Sequence, residues 1–397
     1  MMPLSDRILN LSESQTIAMS KKSREMREQG LDVISLSLGE PDFTTPEFIK
    51  EAAKKGIDEN YTYYPPISGY KDVREAISHK FKRDNNLNYS PEQIVLSTGA
   101  KQSIANVVLC TINPGDEVLL PAPYWVSYFE IVKLAGGIPI IIPTQIENDF
   151  KITQSEIEKH STAKTKMMIF STPCNPSGSV YTESEMQALA MEIQKNSNLL
   201  VISDEIYELI NFQGKHFSLA SLPSVYDQVI TINGVSKGFS MTGWRCGYMG
   251  APLWLAKACD KMQGQFTSAT SSITQRAVKA AVEANPKEVA YMKDAFLKRR
   301  DLVLHELNKI EGLKTNLPQG AFYIFPDVSH FFGKKYKEKT IENANDLCLY
   351  LLEEAHVALV PGDAFGSPKC LRISYAAAED ILLKATQRIA NAIKKLN

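Results

Sequence analysis

Between residues 90 and 280, short apolar runs alternate with longer stretches in which apolar and polar residues recur at a helical interval. The runs are "QIVLSTG", "DEVLLPAPYW", "IPIIIP", "KMMIFSTP", "LLVISDEIY", "QVITING" and "RCGYMG". Several are apolar on consecutive positions, which is what a strand covered on both faces requires. Segments between them, such as "SEMQALAMEIQKNS", are amphipathic. This alternation argues for an α/β fold, a mostly parallel sheet flanked by helices. A parallel sheet gathers the carboxyl ends of its strands on one edge, and that edge is where α/β proteins place ligands.

From about residue 285 the pattern changes. A charged amphipathic helix ("KEVAYMKDAFLKRRDLVLHELNKI") leads into "GLKTNLPQGAFYIFPDV", "HVALVPGDAFG", "CLRISYA" and a final amphipathic helix, which reads as a smaller α+β domain. The first forty-odd residues do not follow the repeating pattern either. The expected division is an N-terminal segment, 1–45, packing with the small domain; a large domain, 46–285; and the small domain, 286–397. The net charge is −1 with no block of like charges, which disfavours nucleic acid or an anionic membrane as the main partner. Six cysteines without a CxxC pair, and six histidines without HxxxH or HExxH spacing, give no support to a zinc site or a disulfide framework. Reduced thiols suit a cytoplasmic location. The segment "MMPLSDRILNLSESQ" lacks the apolar core of a signal peptide, and no stretch has the apolar length of a membrane helix.

Four of the strand ends carry residues able to do chemistry. In "NGVSKGFSMTGWRCGY" (233–248) one amine, Lys237, stands among small residues, with Arg245 eight positions on. An amine acts as nucleophile or base only when deprotonated, and desolvation or a nearby cation lowers its pKa. Arg245 can supply that cation or clamp a phosphate; a surface lysine after a strand is the plainer alternative. In "VISDEIYELI" (201–210) Asp204 stands at the strand end, and Tyr207 shares its face if a helical turn begins there. A buried carboxylate needs a cation, and a protonated pyridine nitrogen would serve. Alternatively Asp204 is a helix N-cap and Glu205 faces solvent. In "STPCNPSG" (171–178) two prolines flank Cys174 and Asn175. Such a rigid segment, open to a cis peptide, would hold the Asn175 amide as a donor, or would be a tight turn with no ligand. In "LSTGAKQSIANVV" (96–108) a strand ends and a helix starts, so backbone N–H groups there make an anion site, to which Lys101 adds charge. The segment is not a Walker A loop, and the chain has no GxGxxG.

Taken in order, these stretches resemble the class I/II, fold-type I pyridoxal-phosphate aminotransferases, most closely the bacterial aspartate aminotransferase subgroup with the SKxFxMTGWR signature, here "SKGFSMTGWRCGY". The resemblance runs from "SLSLGEPDFTTPE" to "LRISYAAAED". It implies a large domain built on a mostly parallel sheet, a smaller α+β domain, and pyridoxal 5′-phosphate as cofactor. Lys237 is then the lysine that bonds the cofactor and, once substrate frees it, moves the proton between Cα and C4′. Asp204 pairs with the pyridine nitrogen, Tyr207 and Asn175 hydrogen-bond the ring hydroxyl oxygen, and Trp125 stacks on the ring. Gly99, Ala100, Lys101 and Arg245 hold the phosphate. Tyr64 reaches the phosphate of the neighbouring subunit, which implies a homodimer with shared active sites. Arg372 grips the substrate α-carboxylate, Gly39 contacts the same end of the substrate through its backbone, and Trp125 and Asn175 also line the substrate site. Lys101 matches the lysine that takes the distal carboxylate, with the phosphate or a surface ion pair as the other reading.

The expected reaction is ping-pong transfer of the amino group of L-aspartate to 2-oxoglutarate, giving oxaloacetate and L-glutamate. Small amino acids and 2-oxo acids are the expected partners, without nucleic acid or membrane. Three alternatives share the fold: an aminotransferase for aromatic or neutral amino acids, a carbon–sulfur lyase using the same cofactor, and a non-catalytic effector-binding domain. The last usually carries an added DNA-binding helix-turn-helix, for which this chain shows no extension. The chain departs from its relatives at Ser12 and Glu13, where many have a basic residue followed by proline that helps some accept prephenate. Thr16 remains as a possible pocket residue. Cys174 stands where asparagine is usual, and Gly234 and Ser236 differ around the lysine; these are expected to tune packing and phosphate bonding.

Overall fold

The computed structural model describes residues 4–13 and 15–397. All seven apolar runs are strands of one sheet: β2 (Ile94–Ser97), β3 (Glu117–Ala122), β4 (Ile138–Pro143), β5 (Thr165–Ser171), β6 (Leu200–Asp204), β7 (Val229–Gly234) and β8 (Gly247–Gly250). Their order is β2-β8-β7-β6-β5-β3-β4. Only β8 is reversed, pairing antiparallel with both β2 and β7. Consecutive apolar positions are explained by the two covered faces, because neighbouring residues of a strand point to opposite sides. Val118 and Leu120 of β3, Ile202 of β6 and Ile230 of β7 pack with Ile104, Val107 and Val132 of the helices Ala100–Thr111 and Val126–Leu134. Leu119, Met168, Val201 and Val229 face the other side, with Met186 and Leu189 of the helix Glu183–Ile193 and Val278 of the helix Ser272–Glu283. β4 is the exception: it is one of the two outer strands, and its Ile138 and Ile141 are exposed. An outer position also accommodates its prolines, which donate nothing to a ladder.

The smaller layer holds a three-stranded antiparallel sheet in the order β13-β14-β9, made by β9 (Tyr323–Ile324), β13 (Val360–Pro361) and β14 (Leu371–Ser374). β10 (Lys335–Tyr336) and β11 (Lys339–Thr340) form a hairpin. The helices Ala290–Leu307, Ala344–Ala355 and Glu379–Ile393 cover it, through Phe296, Leu351 and Leu382 among others. The chain's first strand, β1 (Ile34–Ser35), pairs in parallel with β12 (Val357–Ala358), and Ser374 N–H donates to the Leu36 carbonyl. Beyond β1 the chain crosses to the large sheet: Lys237 donates to the Gly39 carbonyl, and Thr45 Oγ1 donates to the Ser240 carbonyl. That crossing brings Arg372 of the small sheet and Lys237 of the large one to a common cavity. Among the described residues no helix is long and apolar enough to cross a membrane.

Candidate active site

The carboxyl ends of β2, β3, β5, β6 and β7 open on one edge, and the segments that follow them carry Ala100, Trp125, Asn175, Tyr207 and Lys237. Asp204 is itself the last residue of β6. Because β8 is reversed, its beginning lies at this same edge, so Arg245, two residues before it, joins the group. One cavity there is lined by Gly39, Ala100, Lys101, Trp125, Asn175, Asp204, Tyr207, Lys237, Arg245 and Arg372, together with Thr16, Tyr128, Ser236, Thr242 and Tyr323. Gly99 borders it: a Cβ there would lie 2.4 Å from Arg245 Nη2. Tyr64 does not line the cavity of its own chain and is 97% exposed.

Lys237 donates from Nζ to the Gly39 carbonyl over 2.6 Å. Burial, and after it the charge of Arg372, pushes its amine down to about 8. The sequence placed that neighbouring cation at Arg245; Arg245 acts in the same direction, but less than Arg372. The loop after Lys237 turns back on itself through Ser240 and Arg245, both in the left-handed backbone region at φ 53° and 55°.

Asp204 is buried. Its Oδ2 accepts from the Tyr128 hydroxyl at 2.6 Å and its Oδ1 from the Ile206 N–H at 3.3 Å. Burial raises this carboxyl to about 6. No helix begins at Asp204; the residues after it form an irregular turn, so the capping alternative falls. Glu205 does not face solvent. It is fully buried, accepting from the hydroxyls of Ser203 and Ser218. Tyr207 follows in the turn, with its hydroxyl 2.8 Å from that of Tyr323, and burial holds its proton well above the ordinary phenol range.

The "STPCNPSG" segment is pinned by paired backbone bonds, Cys174 N–H to the Ser179 carbonyl and Gly178 N–H to the Cys174 carbonyl, each 2.9 Å. The Thr172–Pro173 and Asn175–Pro176 peptides are both cis. Asn175 Oδ1 accepts from Arg372 Nη1 at 2.9 Å, which leaves the amide nitrogen as the group free to face the cavity. Arg372 is 2% exposed, and its second amino group donates to the Ser37 carbonyl. Its Nε has no partner among the described residues, and its guanidinium lies over the rings of Tyr323 at 4.7 Å and Phe365 at 5.0 Å. Among the described residues no carboxylate pairs with it in an ion pair. Burial pushes its pKa down. A buried cation without an anion is costly, so this side chain is shaped for a carboxylate from outside the chain.

At the opposite end of the cavity, Ala100 and Lys101 open the helix Ala100–Thr111, where the first N–H groups have no intrahelical acceptor. Gly247 lets β8 pass close beneath: a Cβ there would come within 2.2 Å of the Ala100 nitrogen. Arg245 lies against this turn, donating to the carbonyls of Thr242 at 2.8 Å and Thr98 at 3.3 Å. Lys101 Nζ sits 5.0 Å from the Trp125 ring centre, and burial and then Arg245 push its amine down. Lys101, Arg245 and free N–H donors at a helix start, a buried carboxylate that no cation pairs among the described residues, and the Lys237 amine all line one cavity, and they fit a flat cationic ring that carries a phosphate.

Among the cavity residues that had no role in the sequence reading are Tyr128, Tyr323 and Thr242. Tyr128 had a signal, three residues after Trp125 on the helix Val126–Leu134. Tyr323 sits in the apolar run "GAFYIF" and had none.

The description "Aminotransferase class I and II" matches residues 31–389. A bifunctional aspartate aminotransferase and glutamate/aspartate-prephenate aminotransferase of Petunia hybrida is 46% identical over 395 residues, covering 98% of this chain and 82% of the relative. The solved aspartate aminotransferase of Rhizobium meliloti superposes with a TM-score of 0.97 at 38% identity, covering 100% of both chains. That of Thermus thermophilus with maleate gives 0.93 at 37% identity, over 99% of this chain and 100% of that one. The fold is that of a fold-type I transferase, an α/β scaffold built on a mostly parallel sheet. The chain belongs to the class I and II aminotransferases, and its cofactor is pyridoxal 5′-phosphate.

Proposed function

We propose that this chain transfers the amino group of L-aspartate to 2-oxoglutarate in a ping-pong cycle, as a cytoplasmic homodimer. The observation that carries this reading is the pair of cations facing one cavity. Among the described residues Arg372 is buried without an anion, and Lys101 lines the same cavity near Trp125, so two cations are available to a dicarboxylic amino acid. Bound pyridoxal phosphate supplies the electron sink that makes the substrate Cα–H acidic and carries the amino group between the two half-reactions.

The positions of the side chains support a role for each. Arg372 offers a planar fork to the α-carboxylate, steadied by Asn175 and the Ser37 carbonyl. Lys237 holds the cofactor and then serves as the base at Cα. With its amine near 8, about one molecule in ten is neutral at pH 7, against about one in three thousand for an ordinary lysine. Asp204 keeps the ring nitrogen protonated, and the Tyr128 hydroxyl fixes its carboxylate. Tyr207 and the Asn175 amide donate to the ring oxygen, while Trp125 covers a ring face. Gly99, Ala100, Lys101 and Arg245 cradle the phosphate, and Tyr64 completes that cradle in the partner subunit. Gly39 receives the Lys237 amine through its carbonyl and limits the substrate's carboxylate end. The division at 1–45, 46–285 and 286–397 puts Arg372 and Lys237 in different domains, and the two side chains line one cavity, so clamp and base act on the same substrate. Six unbridged cysteines support the cytoplasmic location.

The test is a half-reaction. The protein is loaded with pyridoxal phosphate and the cofactor absorbance is followed while aspartate, glutamate, phenylalanine, alanine and cystathionine are added singly. Conversion by the two dicarboxylic acids alone is the expected result. Equal conversion by phenylalanine or alanine would discard the acidic preference, and pyruvate and ammonia from cystathionine would favour the lyase. A second arm offers prephenate as amino acceptor; Ser12 and Glu13 supply no cation to its extra carboxylate, so 2-oxoglutarate should be preferred.

A further inference from the structure

Tyr323 stands where the carboxylate clamp and the ring pocket meet. It opens β9, and its register partner is Ser374, two residues beyond Arg372 on β14. The Arg372 guanidinium carbon lies 4.7 Å from the centre of its ring. At the far end of that ring, its hydroxyl lies 2.8 Å from the Tyr207 hydroxyl. Gly39 closes the remaining side: a Cβ there would fall 2.0 Å from the Tyr323 oxygen. The side chain is buried, and the bond to Tyr207 is its hydroxyl's one hydrogen bond among the described residues.

We propose that Tyr323 is a positioning residue whose hydroxyl donates to Tyr207 and thereby couples the Arg372 clamp to the hydrogen bond at the cofactor's ring oxygen. This rests on the cofactor pose given above. The direction follows from counting protons. A phenol has one, and Tyr207 gives its own to the ring oxygen, so the proton between the two tyrosines belongs to Tyr323. A chain of hydrogen bonds in a dry site polarises each member, so Tyr323 makes Tyr207 the stronger donor. The guanidinium against the Tyr323 ring adds to this, since a cation beside a phenol favours release of its proton. Burial raises the Tyr323 hydroxyl pKa, and Arg372 opposes that rise. A stronger donor at the ring oxygen stabilises negative charge there and lowers the proton affinity of the nitrogen that joins Lys237 to the cofactor. Gly39 gains a second role, because its missing side chain makes the slot for this hydroxyl.

Tyr323→Phe keeps the ring against Arg372 and Gly39 and removes only the hydroxyl. The readout is a pH titration of the bound cofactor's absorbance. The midpoint should rise by about 0.5–1 pH unit in Tyr323→Phe, the size of one lost hydrogen bond. In a Tyr207→Phe background the same substitution should add nothing, because its only path runs through Tyr207. Cofactor-free Tyr323→Phe should unfold with heat as the parent does, which separates positioning from folding. An unmoved midpoint, or two shifts that add in full, would overturn the proposal. A parent protein that shows no cofactor band at all would instead overturn the functional reading beneath it.

Discussion

Asp204 and Arg372 are each buried with a charge that no group of opposite sign in the described chain pairs, and the two behave differently without ligands. Arginine keeps its proton. A carboxylate can take one up, and burial has raised Asp204 to about 6, from an ordinary 3.8. Its folded-state pKa therefore lies above its unfolded one, so its contribution to stability is full below about pH 4 and is lost as pH rises through about 6. Asp204→Asn mimics the protonated form at every pH. In the cofactor-free protein this variant should gain stability over the parent from about pH 4 upward, levelling off above about 6 at roughly 2–3 kcal/mol. Urea unfolding at pH 4.5 and pH 8 measures it; a gain of the same size at both would remove burial of the charge as the cause. The loaded enzyme should show the reverse, with Asp204→Asn slowing transamination at least a hundredfold, because a neutral amide cannot hold the ring nitrogen protonated.

At the scale of elements, the turn carrying Asp204 and Tyr207 is irregular and is held from behind. Glu208 accepts from Lys80 of the helix Lys71–Lys80 and from the Asn85 amide at 2.6 Å, while Glu205 accepts from Ser203 and Ser218, with the His216 ring 3.0 Å away. Burial works to raise the Glu208 carboxyl, yet Lys80 and His216 outweigh it and hold it below the ordinary range. Lys80→Met would leave that carboxylate buried and unpaired, and should cost about 3–5 kcal/mol in urea unfolding. Lys80→Met/Glu208→Leu should recover most of the loss; a double variant as unstable as the single would mean the lysine stem matters through packing instead. This scale also shows why some of the site was legible and some was not. β5, β6 and β7 were readable because burial on both faces writes consecutive apolar residues, and a polar residue such as Asp204 at the end of such a run stands out. Lys80 and Glu208 lie on amphipathic surroundings 128 positions apart, and no local pattern joins them. Tyr323 was hidden for the opposite reason, since its hydroxyl is the one polar atom in an apolar run.

For the whole molecule, the single chain leaves one part of the expected site unfilled. Tyr64, read from the sequence as a phosphate ligand, is exposed and does not line its own cavity, and its neighbour Tyr63 is exposed as well. Phe266, at the end of the helix Leu253–Phe266, is also exposed. The two places are adjacent: Ile67 packs on Gly264, and Thr267 accepts from Gln102 in the first turn of the helix that opens at the phosphate cradle. Exposed aromatic residues off the lining of their own cavity are consistent with the proposed site shared between two copies. If Tyr64 acts across the interface, Tyr64→Phe should weaken cofactor retention about 10–150-fold, the worth of one hydrogen bond to a charged oxygen. A subunit-mixing experiment then separates the two arrangements. In a hybrid of one Tyr64→Phe subunit and one Lys237→Ala subunit, the only intact Lys237 lies in the Tyr64→Phe subunit. Acting across the interface, the partner's unaltered tyrosine restores parental retention at that site, measured by the rate of cofactor loss to a scavenging apoenzyme. Acting within its own chain, Tyr64 would leave the hybrid site as weak as the Tyr64→Phe homodimer, and the shared-site reading would fail while the chemistry of Lys237 stood.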